Sequence, residues 1–306
     1  MIGVGYNIFY KVDEDVMKGI NGYLEGNSND LSDIISYTEY SKYLQEIHQW
    51  FEIFNYSLNN LKEVTDIHKG AIEINAFLIN VLASGKNIVE NIENYLKYIF
   101  GEESEIFNEF RTNYTSYEYD HNFSYKFLYK LRNYSQHGHI PVSVVDGNAR
   151  FDLKQIYYTP HYKFNPSLRN DVDNFIQFVE NHNPEGLEGP YLDFRYTVSS
   201  YAVSLFRIYK KYKKYVDIMT TSILELKQKV ITIANENEEL LNHKKVECRG
   251  WMFFIVNDQY PEHLQAINTE DNIKKMLTDY KNQVAILIKN EKNILKEMKK
   301  LCIRIE

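Results

Sequence analysis

Four residues near the end of one predicted helix have side chains that could do phosphate chemistry. Arg132, Asn133, His137 and His139 lie in the segment RNYSQHGH. Arginine stays charged at all accessible pH values and grips phosphate oxygens through two parallel hydrogen bonds. Histidine has a reference pKa of about 6.5, so it can take or give a proton near neutrality. This set suits cleavage of an RNA phosphodiester, in which the ribose 2′-hydroxyl loses a proton and the leaving oxygen gains one.

The spacing spreads these side chains around the helix. At about 100° a residue, Asn133 and His137 lie about 40° apart, whereas Arg132 lies about 140° from His137. One copy therefore presents Arg132 and His137 poorly to a single phosphate. Two helix ends related by a twofold axis would supply both groups from both sides, so we expect a homodimer. His139 lies beyond the predicted helix end and is an accessory residue in this hypothesis.

The same residues also have a purely structural interpretation. Cations in the last turn of a helix interact favourably with its dipole and can hydrogen-bond its free carbonyls. Arg132 and His137 could therefore cap the helix. The aromatic run before them, from Tyr125 to Leu131, is typical of core packing rather than of a platform for stacked bases.

Residues 119–141, YDHNFSYKFLYKLRNYSQHGHIP, resemble the signature region of the prokaryotic HEPN superfamily. Its ribonuclease members carry an arginine, a polar residue that is often asparagine, three further residues and a histidine near the end of a core helix. The resemblance implies a four-helix core, dimerisation that brings two motifs together, and metal-independent RNA cleavage leaving 2′,3′-cyclic phosphate ends. Arg132 would bind phosphate, Asn133 would be its polar neighbour, and His137 would be the catalytic histidine.

The resemblance further implies a toxin or phage-defence setting, with an antitoxin or another member of a defence complex as a partner. Some HEPN toxins place a tyrosine two residues after the histidine as the target of a nucleotidyltransferase antitoxin. His139 occupies that position here, so regulation by that route is not expected. The competing hypothesis is a non-catalytic helical module that binds RNA, a nucleotide or a partner protein.

A second candidate for RNA contact is the basic segment FRIYKKYKKYVD. Arg207, Lys210, Lys213 and Lys214 share one stripe of a predicted helix, which could follow an RNA backbone. The alternative is a solvated helix face without a ligand.

Helical periodicity predicts the elements that position these residues. Apolar residues from Ile74 to Phe100 recur at steps of three, four and seven, which indicates a long core helix. We predict further helices over residues 38–66, 104–115 and 122–137, with a turn at residues 68–70. The helix that carries the motif should begin after an N-cap at Asn122 and stop at Gly138.

The remaining chain predicts a small β component. Residues 141–158 alternate as two strands around Asp146-Gly147, which indicates a hairpin. A helix should follow Pro166, and residues 183–190 should form a loop that interrupts helical structure. Beyond them we predict a helix over 191–241, a strand over 247–256, a helix over 269–300 and a last strand at LCIRIE.

The predicted fold is therefore mainly α, a HEPN-like helical bundle with a small β-hairpin and minor C-terminal β additions. Residues 1–185 should form the helical core that carries the motif. Residues 186–306 should continue it with an α/β extension packed on the core as one unit.

Composition limits the function classes. The 306 residues carry a formal net charge of -7, so any RNA contact must be a local basic patch. Cys248 and Cys302 are too few for a disulfide framework and lack metal-ligand spacing. No cluster of carboxylates and histidines shows evident metal spacing either, so we expect no metal or other cofactor. The sequence shows no signal peptide and no run of about 18 apolar residues, which favours a soluble, cytoplasmic protein without membrane contact.

Overall fold

The computed structural model describes residues 28–66, 70–159, 166–182, 189–236, 252–257, 260–268 and 288–296, with residues 282 and 285. Most of these residues are α-helical, and two small antiparallel sheets account for the β structure. The predicted mainly α fold with a small β-hairpin is confirmed.

The elements follow in chain order. The helices are α1 (Ser28–Asp66), α2 (Ala71–Phe100), α3 (Glu105–Phe110), α4 (Tyr117–His121), α5 (Phe123–Gln136), α6 (Leu153–Tyr157), α7 (Pro166–His182) and α8 (Phe194–Glu236). A π-helical turn, Arg111–Ser116, joins α3 to α4. The strands are β1 (Ser143–Val145), β2 (Asn148–Asp152), β3 (Tyr191–Asp193), β4 (Met252–Asn257) and β5 (Tyr260–Asn268). Residues 288–296 are also helical.

The described residues group into two compact units. The larger comprises Tyr43–Val216 and the described residues after Tyr280, and it contains every residue of the RNYSQHGH segment. The smaller comprises the described residues before Tyr43 and those between Asp217 and Asp279, including the antiparallel pair β4–β5. The predicted division of the chain at residue 185 stays a prediction.

Aromatic side chains on α8 form the centre of the larger unit. They contact rings from four other helices: Phe51 of α1 with Tyr209, Tyr95 of α2 with Tyr212, Phe110 of α3 with Tyr215, and Tyr125 of α5 with Tyr201. These eight rings are all at most 2% exposed. Burial of large apolar rings is the main favourable term in such a core, so α8 is the element against which α5 is positioned.

The hairpin β1–β2 follows α5 closely and extends into a third strand. Asp146 and Gly147 both have positive φ angles, 50° and 77°, which is the geometry of a two-residue type I′ turn. Strand β3 pairs antiparallel with β2, with Phe151 opposite Leu192. The Phe151 ring contacts the rings of Phe127 and Phe194, which ties the sheet to α5 and α8.

Two local predictions were wrong, and a third helix has a more irregular form than predicted. Tyr191–Asp193 is a strand rather than the start of a helix, because its structure comes from pairing with β2. Leu153–Tyr157 is a helix rather than the end of a strand, because the Asp152 carboxylate accepts the Gln155 N–H at 2.9 Å and caps it. The predicted helix over 104–115 is α3 followed by the π-helical turn, where the Thr115 hydroxyl bonds both the Glu93 carboxylate and the Arg111 carbonyl.

The bounds of other predicted elements differ from those in the structure or lie outside the described residues. Helix α1 begins at Ser28, ahead of the predicted residue 38, and the predicted strand over 247–256 corresponds to β4 within the described residues. The predicted helix after Pro166 is confirmed as α7. Several predicted features lie outside the described residues. They are Cys248, Cys302, the predicted LCIRIE strand, most of the turn at 68–70 and most of the loop at 183–190.

Candidate functional site

The start of α5 is fixed against α8 by a polar network. Asn122 is the N-cap, and its side-chain oxygen accepts the Tyr125 N–H at 3.1 Å. Its amide nitrogen donates to the Ser204 hydroxyl at 2.9 Å. The Ser204 hydroxyl in turn donates to the buried Glu118 carboxylate at 2.6 Å. Satisfied buried polar groups of this kind fix one relative placement of two helices.

One face of α5 is buried in the core. Its buried apolar residues are Tyr125, Phe127, Leu128, Leu131 and Tyr134. The prediction that the aromatic run packs in the core is confirmed, except that Tyr129 is only half-buried.

Lys126, only 7% exposed, lies on α5 as well. Its ammonium lies 2.6 Å from the Asp171 carboxylate of α7. A buried lysine is tolerated when it is paired in this way.

The C-terminal end of α5 closes with backbone hydrogen bonds. The Gly138 N–H donates to the Ser135 carbonyl at 3.1 Å, and the His139 N–H donates to the Tyr134 carbonyl at 3.4 Å. Gly138 has a φ of 86°. This pattern is the Schellman motif, in which a glycine takes the left-handed position that other residues disfavour. Backbone groups, rather than the side chains of Arg132 or His137, therefore cap the helix.

His139 belongs to the same closure. Its ring lies 4.7 Å, centroid to centroid, from the ring of Tyr134. A contact between these two positions commonly accompanies the Schellman motif. The structure thus gives His139 a packing role at the helix end.

The chain that leaves the motif is held by Asn75 of α2. The Asn75 amide donates to the Val142 carbonyl and its oxygen accepts the Val142 N–H, both at 3.0 Å. Asn75 is 3% exposed, so both bonds are shielded from water. This clamp fixes residues 138–142 between α5 and the hairpin.

Arg132 is half-buried, and its Nε atom is buried without a hydrogen-bond partner. No ion pair or hydrogen bond joins its side chain to any other residue in the described part of the chain. Arginines that leave water are normally paired, because an unpaired buried charge is costly. No described side chain or carbonyl therefore takes up the donors of the guanidinium.

Two tyrosines lie in the electrostatic range of Arg132. Burial raises the pKa of Tyr129 to about 12, and Glu90 and Glu93 add to this, while Arg132 opposes it. Burial likewise raises the pKa of Tyr201, again against the effect of Arg132. Tyr129 and Tyr201 therefore stay protonated at neutral pH and can only offer neutral hydroxyls to the guanidinium.

His137 is exposed at the C-cap position, with φ and ψ of -85° and 14°. Its backbone N–H donates to the Asn133 carbonyl at 3.1 Å. The side chains of Asn133 and His137 make no hydrogen bond to each other, to Arg132 or to the rest of the described structure. Within one chain the three residues share a helix end without forming a joined cluster.

The basic stripe on α8 is largely paired. Arg207 lies 3.7 Å from Glu118 and 3.9 Å from Glu291, and Lys210 lies 4.0 Å from Glu291. Lys214 lies 3.4 Å from Glu109, and Lys213 makes no ion pair with a described carboxylate. These carboxylates offset the positive charge of the stripe, and its role in RNA binding stays a prediction.

No family model, curated protein or solved structure matches this chain. The HEPN resemblance therefore rests on the motif and its place at a helix end. Over the described residues, no group of three or more His, Cys, Asp or Glu side chains could hold a metal ion. None of the described helices is long and apolar enough to span a membrane.

Proposed function

We propose that the chain is a HEPN-type endoribonuclease that cleaves single-stranded RNA without a metal ion. One observation supports this proposal most strongly. At the end of α5, Arg132 is half-buried without an ion-pair partner in the described structure, and five residues later His137 is exposed. A phosphate oxygen is a ligand that would satisfy an arginine of this kind.

The chemistry follows from the two side chains. One His137 takes the proton of a ribose 2′-hydroxyl, and that oxygen attacks the adjacent phosphorus. The bond from phosphorus to the 2′-oxygen forms as the bond to the 5′-oxygen breaks, which leaves a 2′,3′-cyclic phosphate and a 5′-hydroxyl. The partner's His137 gives a proton to the leaving oxygen. Arg132 stabilises the negative charge that develops on the non-bridging oxygens, and Asn133 orients the imidazole or the phosphate.

The active unit in this proposal is a homodimer. Because Arg132 and His137 lie about 140° apart around α5, a second copy would have to complete the site. We expect a dimer by light scattering at micromolar concentration. Specific activity should fall on dilution below the dimer dissociation constant. A strictly monomeric protein with undiminished specific activity would overturn the composite site.

The biological setting is part of the proposal. The motif resemblance favours a toxin or phage-defence role, with an antitoxin or a defence-complex protein as a partner.

A non-catalytic binding module is the second candidate. The lack of any described hydrogen bond among the side chains of Arg132, Asn133 and His137 favours it, because catalytic groups are usually oriented by such bonds. In that case Arg132 would bind an anion and His137 would have no chemical role.

Two variants distinguish the candidates. We expect Arg132→Ala and His137→Ala each to lower RNA cleavage by about 100-fold or more, the contribution of a general base or a charge-stabilising donor. His137→Ala should keep most of the RNA binding, whereas Arg132→Ala should weaken it. Each change should lower the unfolding free energy by only about 0.3–1 kcal/mol, the usual contribution of a cation to the dipole at a helix C-terminus.

The matched control is Gln136→Ala, an exposed residue beside His137 on the same helix end. It should retain full cleavage. A wild-type chain that binds RNA and never cleaves it would favour the binding module. Undiminished cleavage in either test variant would show that the changed residue is not part of the catalytic site.

A further inference from the structure

The larger unit contains a cleft whose lining includes no residue of the RNYSQHGH segment. It has a volume of about 680 Å³ and lies between α1, α8 and the helical residues 288–296. Small-molecule sites typically have volumes of roughly 300–1,000 Å³. The cleft is therefore large enough for a ligand of nucleotide size.

The floor of the cleft is apolar. Leu61 of α1 and Val198 and Phe206 of α8 line it, and each is at most 5% exposed. Ile294 adds a half-buried aliphatic side chain from the last described helix. A flat ring could rest on such a surface without losing polar contacts.

Two helices each line the cleft with two asparagines and a lysine. Asn55, Asn59 and Lys62 recur at steps of four and three along α1, and Asn290, Asn293 and Lys296 recur at steps of three. Such steps keep side chains near one face of a helix. None of the four asparagine amides makes a hydrogen bond to another residue within the described ranges. Each amide thus offers a donor and an acceptor to a ligand.

The charged residues of the cleft are mainly cations. Lys62, Arg195 and Lys296 line it together with Asp66. Arg195 is engaged by the end of α1, with 3.1 Å to the Asp66 carboxylate and 3.2 Å to the Thr65 carbonyl. Lys296 makes no ion pair with a described carboxylate, so its ammonium adds positive charge to the cleft.

From these features we infer that the cleft binds a nucleotide, an aromatic base that carries a phosphate. The apolar floor suits the face of the base, the amides suit its donor and acceptor edge, and the Lys296 ammonium suits the phosphate. This site is separate from the proposed ribonuclease site, and its test does not depend on RNA cleavage. The nucleotide could be a free mononucleotide or one residue of an RNA strand.

Calorimetric titration of the full chain tests the inference, with AMP, adenosine and an adenine hexaribonucleotide as probes. For a ligand of this size we expect a dissociation constant for AMP on the order of 10–100 µM. Adenosine, which lacks the phosphate, should bind about 10-fold or more weakly. Binding of AMP identifies a free nucleotide. Binding of the hexanucleotide alone identifies an RNA subsite in the cleft if Lys296→Ala weakens it in an Arg132→Ala background, in which the proposed ribonuclease site binds RNA poorly. No binding of either at millimolar concentration overturns the inference.

Cleft variants locate the binding. Asn59→Ala and Asn293→Ala should each weaken AMP binding about 3- to 10-fold, and Lys296→Ala about 10-fold, the loss of one neutral or one charge-assisted hydrogen bond. Alanine is the best helix former, so these variants should fold.

The matched controls lie outside the cleft on the same helices. The Asn60 amide donates to the Tyr56 carbonyl of its own helix at 2.7 Å, and Lys292 is exposed. Asn60→Ala and Lys292→Ala should bind AMP like the wild type. Equal weakening in the controls, or loss of AMP binding in Arg132→Ala alone, would overturn the assignment to the cleft.

Discussion

Arg132 has different surroundings from the paired cations of the larger unit. Lys126, Arg195 and Arg207 each face a carboxylate, whereas Arg132 pairs with none that the structure describes. Its Nε atom is nevertheless buried. A half-buried guanidinium without a described carboxylate partner can be stabilised by an anion or by a carboxylate of a second chain. This imbalance is the physical reason for placing an anion at the end of α5.

Gly85 of α2 is the residue that allows Tyr201 to approach α2 closely. A β-carbon at this position would overlap the Tyr201 hydroxyl and lie 2.7 Å from a Leu205 methyl carbon. Both neighbours are 1% exposed and cannot move into solvent. We expect Gly85→Ala to lower the unfolding free energy by about 1–3 kcal/mol, the usual cost of overpacking a core.

Urea unfolding measures this change. Gly189→Ala is the matched control, because nothing lies within 4 Å of a β-carbon there. A Gly85→Ala chain as stable as the control would show that Tyr201 does not pack as described.

The motif residues could be identified from the sequence, whereas the residues that hydrogen-bond or pair with their neighbours could not. Asn122 was predicted as an N-cap because its role depends only on the three residues that follow. The pair of Lys126 and Asp171 joins residues 45 positions apart. A lysine within an apolar run gives no signal of such a partner. The bonds from Asn75 to Val142 were missed for the same reason.

At the scale of elements, the predicted bounds of the motif helix agree closely with α5. Residues 122–137 were predicted, and the helix runs over Phe123–Gln136 between the cap residues Asn122 and His137. Local chemistry sets both ends, since an asparagine caps the start and Gly138 takes the left-handed turn. Strand β3 was missed because three residues become a strand only through pairing with β2.

The contact between α2 and α5 gives a pH-dependent prediction through Tyr129. Burial, Glu90 and Glu93 raise its pKa to about 12, and a tyrosine in an unfolded chain ionises near pH 10. The unfolded state thus loses its proton first as pH rises. Tyr129 therefore contributes stability that is present below about pH 10 and is lost as pH rises towards 12.

The Tyr129→Phe variant has no hydroxyl to ionise. It should lose less unfolding free energy between pH 8 and pH 11 than the wild type does. Tyr56→Phe, a change at a ring that is 67% exposed, should lose as much as the wild type. Identical losses in Tyr129→Phe and the wild type would show that the Tyr129 hydroxyl is not held in a buried, acidic environment.

For the whole molecule, helical periodicity was enough to predict a mainly α fold. Apolar stripes are visible in single segments, and long helices need little else to be recognised. The division into two compact units could not be predicted, because each unit joins segments far apart in the sequence. The cleft was missed because each Asn-Asn-Lys set looks like an ordinary polar helix face until α1, α8 and residues 288–296 come together.

The measurement that tests the proposed ribonuclease most directly is cleavage of labelled single-stranded RNA in excess chelator, with identification of the product ends. In the proposed mechanism Arg132 and His137 supply charge stabilisation and proton transfer without a metal ion, so the rate should not change when chelator is added. The products should carry 2′,3′-cyclic phosphate and 5′-hydroxyl ends. Cleavage that disappears in chelator and returns with Mg²⁺, or products with 3′-hydroxyl ends, would contradict the assignment.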